Sequence, residues 1–164
     1  MHLPVRTRFA ARRSHIWLAS LKLATTLGLA GPPAFASAGD SPDQKPDELV
    51  NAEKALDHND YAKAIQILEP YLRQNPKDAD ALTDLGVAYL DSGDTPKAIG
   101  ILEQSLALES SKLETNAALG MAYLVAGNLP AAEKRLERID GLCFFGCFEE
   151  RQLKAEIASY RAKR

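Results

Sequence analysis

Small and apolar residues recur every three or four positions from residue 46 to the end of the chain, with charged residues between them. This spacing places the apolar residues on one face of a helix. Glycine, asparagine and proline interrupt the pattern at short intervals, where helices begin and end. The pattern predicts an all-α protein whose first six helices lie at 46–58, 61–74, 79–92, 96–109, 113–126 and 130–139.

The segment from Ala79 to Gly146 contains one pattern written twice, 34 residues apart. The series Leu85-Gly86-x-Ala88-Tyr89-Leu90 returns as Leu119-Gly120-x-Ala122-Tyr123-Leu124. After it, Gly93, Pro96, Ala98 and Leu102 return as Gly127, Pro130, Ala132 and Leu136. A weaker copy comes earlier, with Asn59 at the turn, Ala64 at the small position, and Ala52 and Ala55 where the later copies have glycine and tyrosine.

This pattern resembles the tetratricopeptide repeat, a 34-residue helix–turn–helix unit. The resemblance covers residues 45–146 and implies three repeats, 45–78, 79–112 and 113–146, stacked as an α-solenoid. Gly86 and Ala98 are then expected where the two helices of a repeat touch. Gly93 and Gly127 are expected to end the first helix, where a positive φ favours glycine. The atypical first repeat fits a terminal position, because one of its faces has no neighbour.

The last segment, 147–164, differs from the repeats. Apolar residues at 148, 153, 157 and 160 alternate with charged ones, and Glu149 and Glu150 lie in the first turn, as expected for an amphipathic helix. We predict a helix at 148–163 that caps the last face of the solenoid.

The first 36 residues contain five basic and no acidic residues, an apolar run from Leu23 to Ala30, and the small-x-small sequence Ala34-Phe35-Ala36. These features predict a secretory signal peptide, cleaved after Ala36 or Ala38, and export to a bacterial periplasm. A mitochondrial transit peptide is the alternative. The apolar stretch is too short and proline-containing for a stable membrane anchor. Residues 37–45 then form a flexible leader.

Residues 37–164 contain 15 basic and 22 acidic residues, a net charge of −7. An acidic protein repels phosphate backbones, so nucleic acid is not expected as a partner. His58 is the one histidine after residue 36, and the chain has no Ser/His/Asp set, glycine-rich phosphate loop or HExxH motif. The sequence therefore predicts neither an enzyme nor a cofactor.

Cys143 and Cys147 are the two cysteines of the chain, in a C-x3-C spacing. In an exported protein such a pair predicts a disulfide, which here would fix the direction of the last helix. Two alternatives stay open. A thiol at a helix N-terminus has a lowered pKa and favours redox activity. Two thiolates at this spacing also suit a soft metal such as Cu(I), which defines a copper-handling accessory protein.

The family resemblance also implies a concave, partner-binding groove on the first helix of each repeat. Transferred to this sequence, its residues are Leu49, Glu53, Leu56, Thr83, Val87, Leu90, Asp91, Ala117, Met121, Leu124 and Val125. This set predicts an apolar floor with acidic edges. It lacks the lysine and asparagine with which some relatives bind a C-terminal carboxylate, since Leu49 and Glu53 stand there. The expected ligand is a protein or peptide segment with apolar anchors and some basic residues.

The alternative for the same apolar residues is that they pack against the leader, against the capping helix or against a second copy of the chain. The last case would make the protein a homo-oligomeric, self-associating structural subunit.

Overall fold

The computed structural model describes residues 45–163, so the predicted signal peptide and most of the predicted leader lie outside the described residues. In this part of the chain every regular element is a helix, which confirms the predicted all-α solenoid with a final helix. The helices are α1 (Asp47–Asp57), α2 (Tyr61–Gln74), α3 (Ala79–Ser92), α4 (Thr95–Leu108), α5 (Leu113–Val125), α6 (Leu129–Asp140) and α7 (Phe148–Ala162).

The helices pack as consecutive antiparallel pairs. The most extensive contacts join α3 to α4 and α5 to α6. Helix α2 packs on α1 and on α3 to the same extent, and α4 packs on α5. The first helices of the pairs contact each other in the order α1, α3, α5, and α7 packs on both α5 and α6. Each pair therefore buries its apolar face against the next pair, and α7 covers the last one.

The turns inside the pairs repeat the same local chemistry. Asp60, Asp94 and Asn128, each 34 residues from the next, accept hydrogen bonds from backbone N–H groups three residues later, at 3.2–3.3 Å. These N-caps start α2, α4 and α6. The preceding residues Asn59, Gly93 and Gly127 have φ values of 59°, 96° and 78°. Gly93 and Gly127 thus occupy the left-handed turn positions that the sequence predicts.

Gly86 and Gly120 provide close contacts between helices. A Cβ at Gly86 would lie 2.5 Å from Cγ of Leu102 in α4. Ala98, one turn before Leu102 in the same helix, is fully buried. In the next pair, the repeat predicts that Leu136 of α6 takes the place of Leu102. Instead, a Cβ at Gly120 would lie 2.6 Å from Cδ2 of Leu153, and Leu136 is half-buried. The capping helix α7 therefore supplies the side chain that fills the last glycine site.

A hydroxyl cluster lies between the second and third pairs. Thr83, Ser105 and Thr115 are fully buried; Thr83 Oγ1 lies 2.9 Å from Ser105 Oγ and 2.7 Å from Thr115 Oγ1. Thr83 and Ser105 each donate their one hydroxyl proton to the carbonyl oxygen of Ala79, at 2.8 and 2.9 Å, so Thr115 is the donor in its bond with Thr83. Because buried polar groups need partners, this cluster fixes how the two pairs meet.

Two tyrosine–glutamate hydrogen bonds tie neighbouring pairs together. Tyr89 in α3 donates to Glu69 in α2, and Tyr123 in α5 donates to Glu103 in α4 at 2.7 Å. The two donors and the two acceptors are each 34 residues apart. The hydrogen bond to Glu69, with burial, raises the pKa of Tyr89 to about 12. Burial and the bond to Glu103 also raise the pKa of Tyr123.

Candidate binding site

The predicted groove residues lie along α1, α3 and α5, but most are inaccessible. Seven of them are buried: Leu49, Thr83, Val87, Leu90, Ala117, Met121 and Leu124. Glu53, Leu56 and Asp91 are half-buried, and only Val125, with 46% of its surface exposed, is open among the eleven. Met121 is just 2% exposed. The apolar floor that the sequence predicts is therefore mainly interior, and the groove assignment stays a prediction.

The accessible part of the first helices is acidic. Asp57, Asp80 and Glu114 are exposed, while Glu53, Asp84 and Asp91 are half-buried. Asp80 forms an ion pair with Lys112. The charge of Asp91 adds to burial in raising the pKa of Tyr61 at the start of α2. We call these six carboxylates on α1, α3 and α5 the acidic face. Their negative charge can attract basic side chains.

The disulfide predicted from the C-x3-C spacing is present. Cys143 and Cys147 are bonded, with their Cα atoms 5.8 Å apart, and Cys147 is the N-cap of α7. The bond closes a small ring that we call the disulfide loop, residues 143–147. Within it Phe144 is 94% and Phe145 101% exposed, and the adjacent Phe148 is 49% exposed. A prominent apolar surface thus lies at the capping end, and the sequence did not predict it.

The carboxylate of Glu150 and the two cysteine sulfurs lie within 4.8 Å of one another. Among the described residues this is the one group of three side chains with metal-ligand spacing. In the disulfide the sulfurs are bonded to each other and cannot act as thiolate ligands. The redox and copper-handling alternative therefore needs the reduced form of the loop.

A groove of about 610 Å³ lies between α2 and α4, and we call it the outer groove. Its apolar lining includes Leu72, Pro76, Leu82, Leu85 and Ile101, and its polar lining includes Glu69, Arg73, Tyr89, Lys97 and Gln104. Gly100 also lines it, and a Cβ added there would meet no atom within 4 Å. This groove was not among the sequence predictions. Its signal in the sequence is Gly100, a mid-helix glycine at the position where the other repeats have Gln66 and Lys134.

None of the helices between residues 45 and 163 combines the length and apolarity needed to cross a membrane.

Helix pairs of constant period, stacked on one another and capped by a final helix, define an α-solenoid repeat protein. Residues 55–109 and 90–141 each match the sequence profile of the tetratricopeptide repeat, and together they span more than half of the 164-residue chain. The chain belongs to the tetratricopeptide repeat family. Among curated proteins, no significant match to the chain is found.

Solved structures share the fold. The first tetratricopeptide domain of human RPAP3 is 22% identical, with 71% of this chain and 93% of that chain covered and a TM-score of 0.63. The first such domain of Spaghetti (RPAP3), bound to the HSP90 peptide SRMEEVD, is also 22% identical, with coverages of 70% and 93% and a TM-score of 0.62.

The type III secretion chaperone SycD of Yersinia enterocolitica, in complex with a peptide of the translocator YopD, is 16% identical. The match covers 71% of this chain and 88% of that chain, with a TM-score of 0.61. At these identities the likeness concerns the fold.

Proposed function

We propose that this protein is a non-catalytic protein–protein interaction module that binds a basic, apolar segment of a partner along the acidic face. The observation that carries the proposal is the row of carboxylates on α1, α3 and α5, of which Asp57, Asp80 and Glu114 are exposed. Lysine or arginine side chains of a ligand would pair with Asp57 and Glu114 and would compete with Lys112 for Asp80. The ligand's apolar residues would contact half-buried Leu56 and exposed Val125 at the ends of α1 and α5.

The fold supports this proposal, since two of the similar structures have bound peptides. The charge of the binding surface proposed here differs in sign from what the ligand of one of these structures requires. The HSP90 peptide SRMEEVD ends in acidic residues, whereas the acidic face here would repel such a tail. A ligand of opposite charge is therefore the form of peptide binding that this sequence favours.

The test uses two synthetic peptides of the same length and apolar residues, one carrying lysines and the other glutamates at the intervening positions. We expect the lysine peptide to bind, with an affinity that falls as salt rises, and the glutamate peptide not to bind. Fluorescence anisotropy of labelled peptides measures both. Equal binding of the two peptides would contradict the proposal.

Charge-reversal variants locate the site. Asp57→Lys and Glu114→Lys change exposed residues on α1 and α5, so the fold should be retained while lysine-peptide affinity falls. Glu156→Lys, at an exposed position of α7, is the matched control and should bind as wild type does. Loss of affinity in the control but not in the first two variants would move the site to another face.

The proposed setting is the bacterial periplasm. It is supported by the composition of residues 1–36 and by the disulfide, a bond that oxidising compartments favour. Intact-mass measurement of the protein from its native cells should show a chain that begins at Ser37 or Gly39. Retention of the first 36 residues would contradict export by a cleaved signal.

A further inference from the structure

Phe144 and Phe145 lie side by side on a closed five-residue ring and are almost completely exposed. The disulfide restricts the ring, so these two side chains can be bound with a reduced loss of backbone entropy. Most proteins bury aromatic side chains, and exposed clusters mark interaction sites. The fold does not require this pair, because neither ring is covered by another described residue.

The outer groove is an open, mainly apolar depression on the same chain. Its floor is formed by Leu82 and Leu85 of α3, and its walls by Leu72 and Ile101. Gly100 leaves the α4 wall without a side chain, which keeps the cavity open at a cost of about 1 kcal/mol in helix propensity relative to alanine. Unlike Gly86 and Gly120, this glycine is not required by any contact inside the described chain.

Charge complementarity between the two sites depends on one unpaired cation in the groove. From position 138 to 151 the chain has three acidic residues, Asp140, Glu149 and Glu150, and two basic residues, Arg138 and Arg151. The rim of the outer groove carries Arg73, Lys97 and Glu69. Glu69 accepts the hydrogen bond from Tyr89, and Lys97 forms an ion pair with Asp94 at 3.3 Å. No described residue forms an ion pair with Arg73.

We propose that the disulfide loop of one copy of this chain docks into the outer groove of a second copy, with Phe144 and Phe145 in the cavity beside Gly100. The flanking carboxylates would then approach Arg73. A membrane surface is a poorer occupant for the loop, because the same carboxylates would be repelled by anionic lipid headgroups. The acidic face takes no part, so this inference is independent of the peptide-binding proposal.

The contact joins different surfaces of the two copies, so it is head-to-tail and leaves a free loop and a free groove at the ends of each assembly. Two phenylalanine side chains bury about 300–500 Å². Counted on both partners this is about 600–1,000 Å², below the standard size of stable complexes. We therefore expect weak association that increases with protein concentration.

Sedimentation velocity of the purified protein over a range of concentrations tests the association. Phe144→Ser/Phe145→Ser removes the loop's side chains, and Gly100→Trp fills the groove. Each should weaken self-association at least about tenfold, as loss of a central contact does. Gly100→Ala is the matched control, because its single methyl group leaves most of the cavity open. Circular dichroism and melting temperature establish that all variants are folded.

Mixing the two defective variants is the decisive step. The first retains the groove and the second retains the loop, so an equimolar mixture should form a dimer containing one of each and grow no further. The proposal is overturned if wild type stays monomeric at millimolar concentration, if either variant associates like wild type, or if the mixture does not form the dimer. It is also overturned if wild type stays monomeric and binds phosphatidylglycerol vesicles through Phe144 and Phe145.

Discussion

At the scale of single residues, the three mid-helix glycines Gly86, Gly120 and Gly100 differ in the space that surrounds them. Gly86 faces Leu102 and Gly120 faces Leu153, each with too little room for a Cβ, whereas Gly100 faces open space. Substitution by alanine should therefore lower stability at Gly86 and Gly120 and raise it at Gly100, although the change in helix propensity is the same. Local propensity favours alanine everywhere, so only packing can make it unfavourable.

We expect Gly86→Ala to lower the free energy of unfolding by about 1–3 kcal/mol, because Leu102 must leave its position. Gly100→Ala should raise it by about 0.5–1 kcal/mol. Urea denaturation of both variants measures the difference. If Gly86→Ala is as stable as wild type, the helices of the second pair do not meet at this glycine.

The free energy of unfolding should depend on pH in the alkaline range, mainly through Tyr71 and Tyr89. Burial and a hydrogen bond to Asp78 raise the pKa of Tyr71 to about 12, and the hydrogen bond to Glu69 with burial raises that of Tyr89 to about 12. In the unfolded chain their pKa values are near 10, so between these values the unfolded state binds fewer protons. Stability should be complete below pH 10 and should fall as pH rises from 10 to 12.

Chemical denaturation at a series of pH values, with tyrosinate absorbance recorded in parallel, checks this dependence. Tyr71→Phe/Tyr89→Phe should flatten the decline. Tyr61→Phe is the comparison and should flatten the decline less. Burial and Asp91 raise the pKa of Tyr61 too, but its hydroxyl donates to the amide oxygen of Asn59 rather than to a carboxylate. An equally steep decline in the double variant would assign the pH dependence to other groups.

At the scale of elements, α7 completes the third pair by placing Leu153 against Gly120. Leu153 is fully buried, so Leu153→Ala should cost about 2–5 kcal/mol. Gly120→Ala alone should also be destabilising. In the Leu153→Ala background, however, the added methyl group enters vacated space and should cost less or nothing. A double-mutant cycle from urea titrations measures this coupling, and additive effects would mean that the two residues do not contact.

The helix bounds could be predicted from sequence to within one or two residues, because caps and turn residues recur at a fixed period. The prediction for 96–109 compares with Thr95–Leu108, and that for 130–139 with Leu129–Asp140. The partner of Gly120 could not be predicted. The repeat assigns Leu136, and nothing local distinguishes it from Leu153, since that choice depends on how α7 packs across α5 and α6.

At the scale of the whole molecule, the family resemblance predicted which helices carry the groove residues, but it did not predict which of their side chains are accessible. Val87, Met121 and Leu124 are buried, so a charged residue at Met121 would lower the stability of the fold, whatever its effect on partner binding. Exposure depends on the stacking of whole helices, which the period of a sequence does not contain. The paired cysteines predicted the disulfide, whereas the outward direction of Phe144 and Phe145 required the structure.

The hydroxyl cluster gives the repeats a fixed order. Thr83 and Ser105 of the second repeat meet Thr115 of the third, and the residue equivalent to Thr115 in the second repeat is Ala81. If the second repeat were followed by a duplicate of itself, two buried hydroxyls would face a methyl group at that junction and lose a hydrogen-bond partner, at a cost of about 1 kcal/mol. Repeats with similar sequences are therefore not interchangeable in position, and a protein with shuffled or duplicated repeats would be less stable.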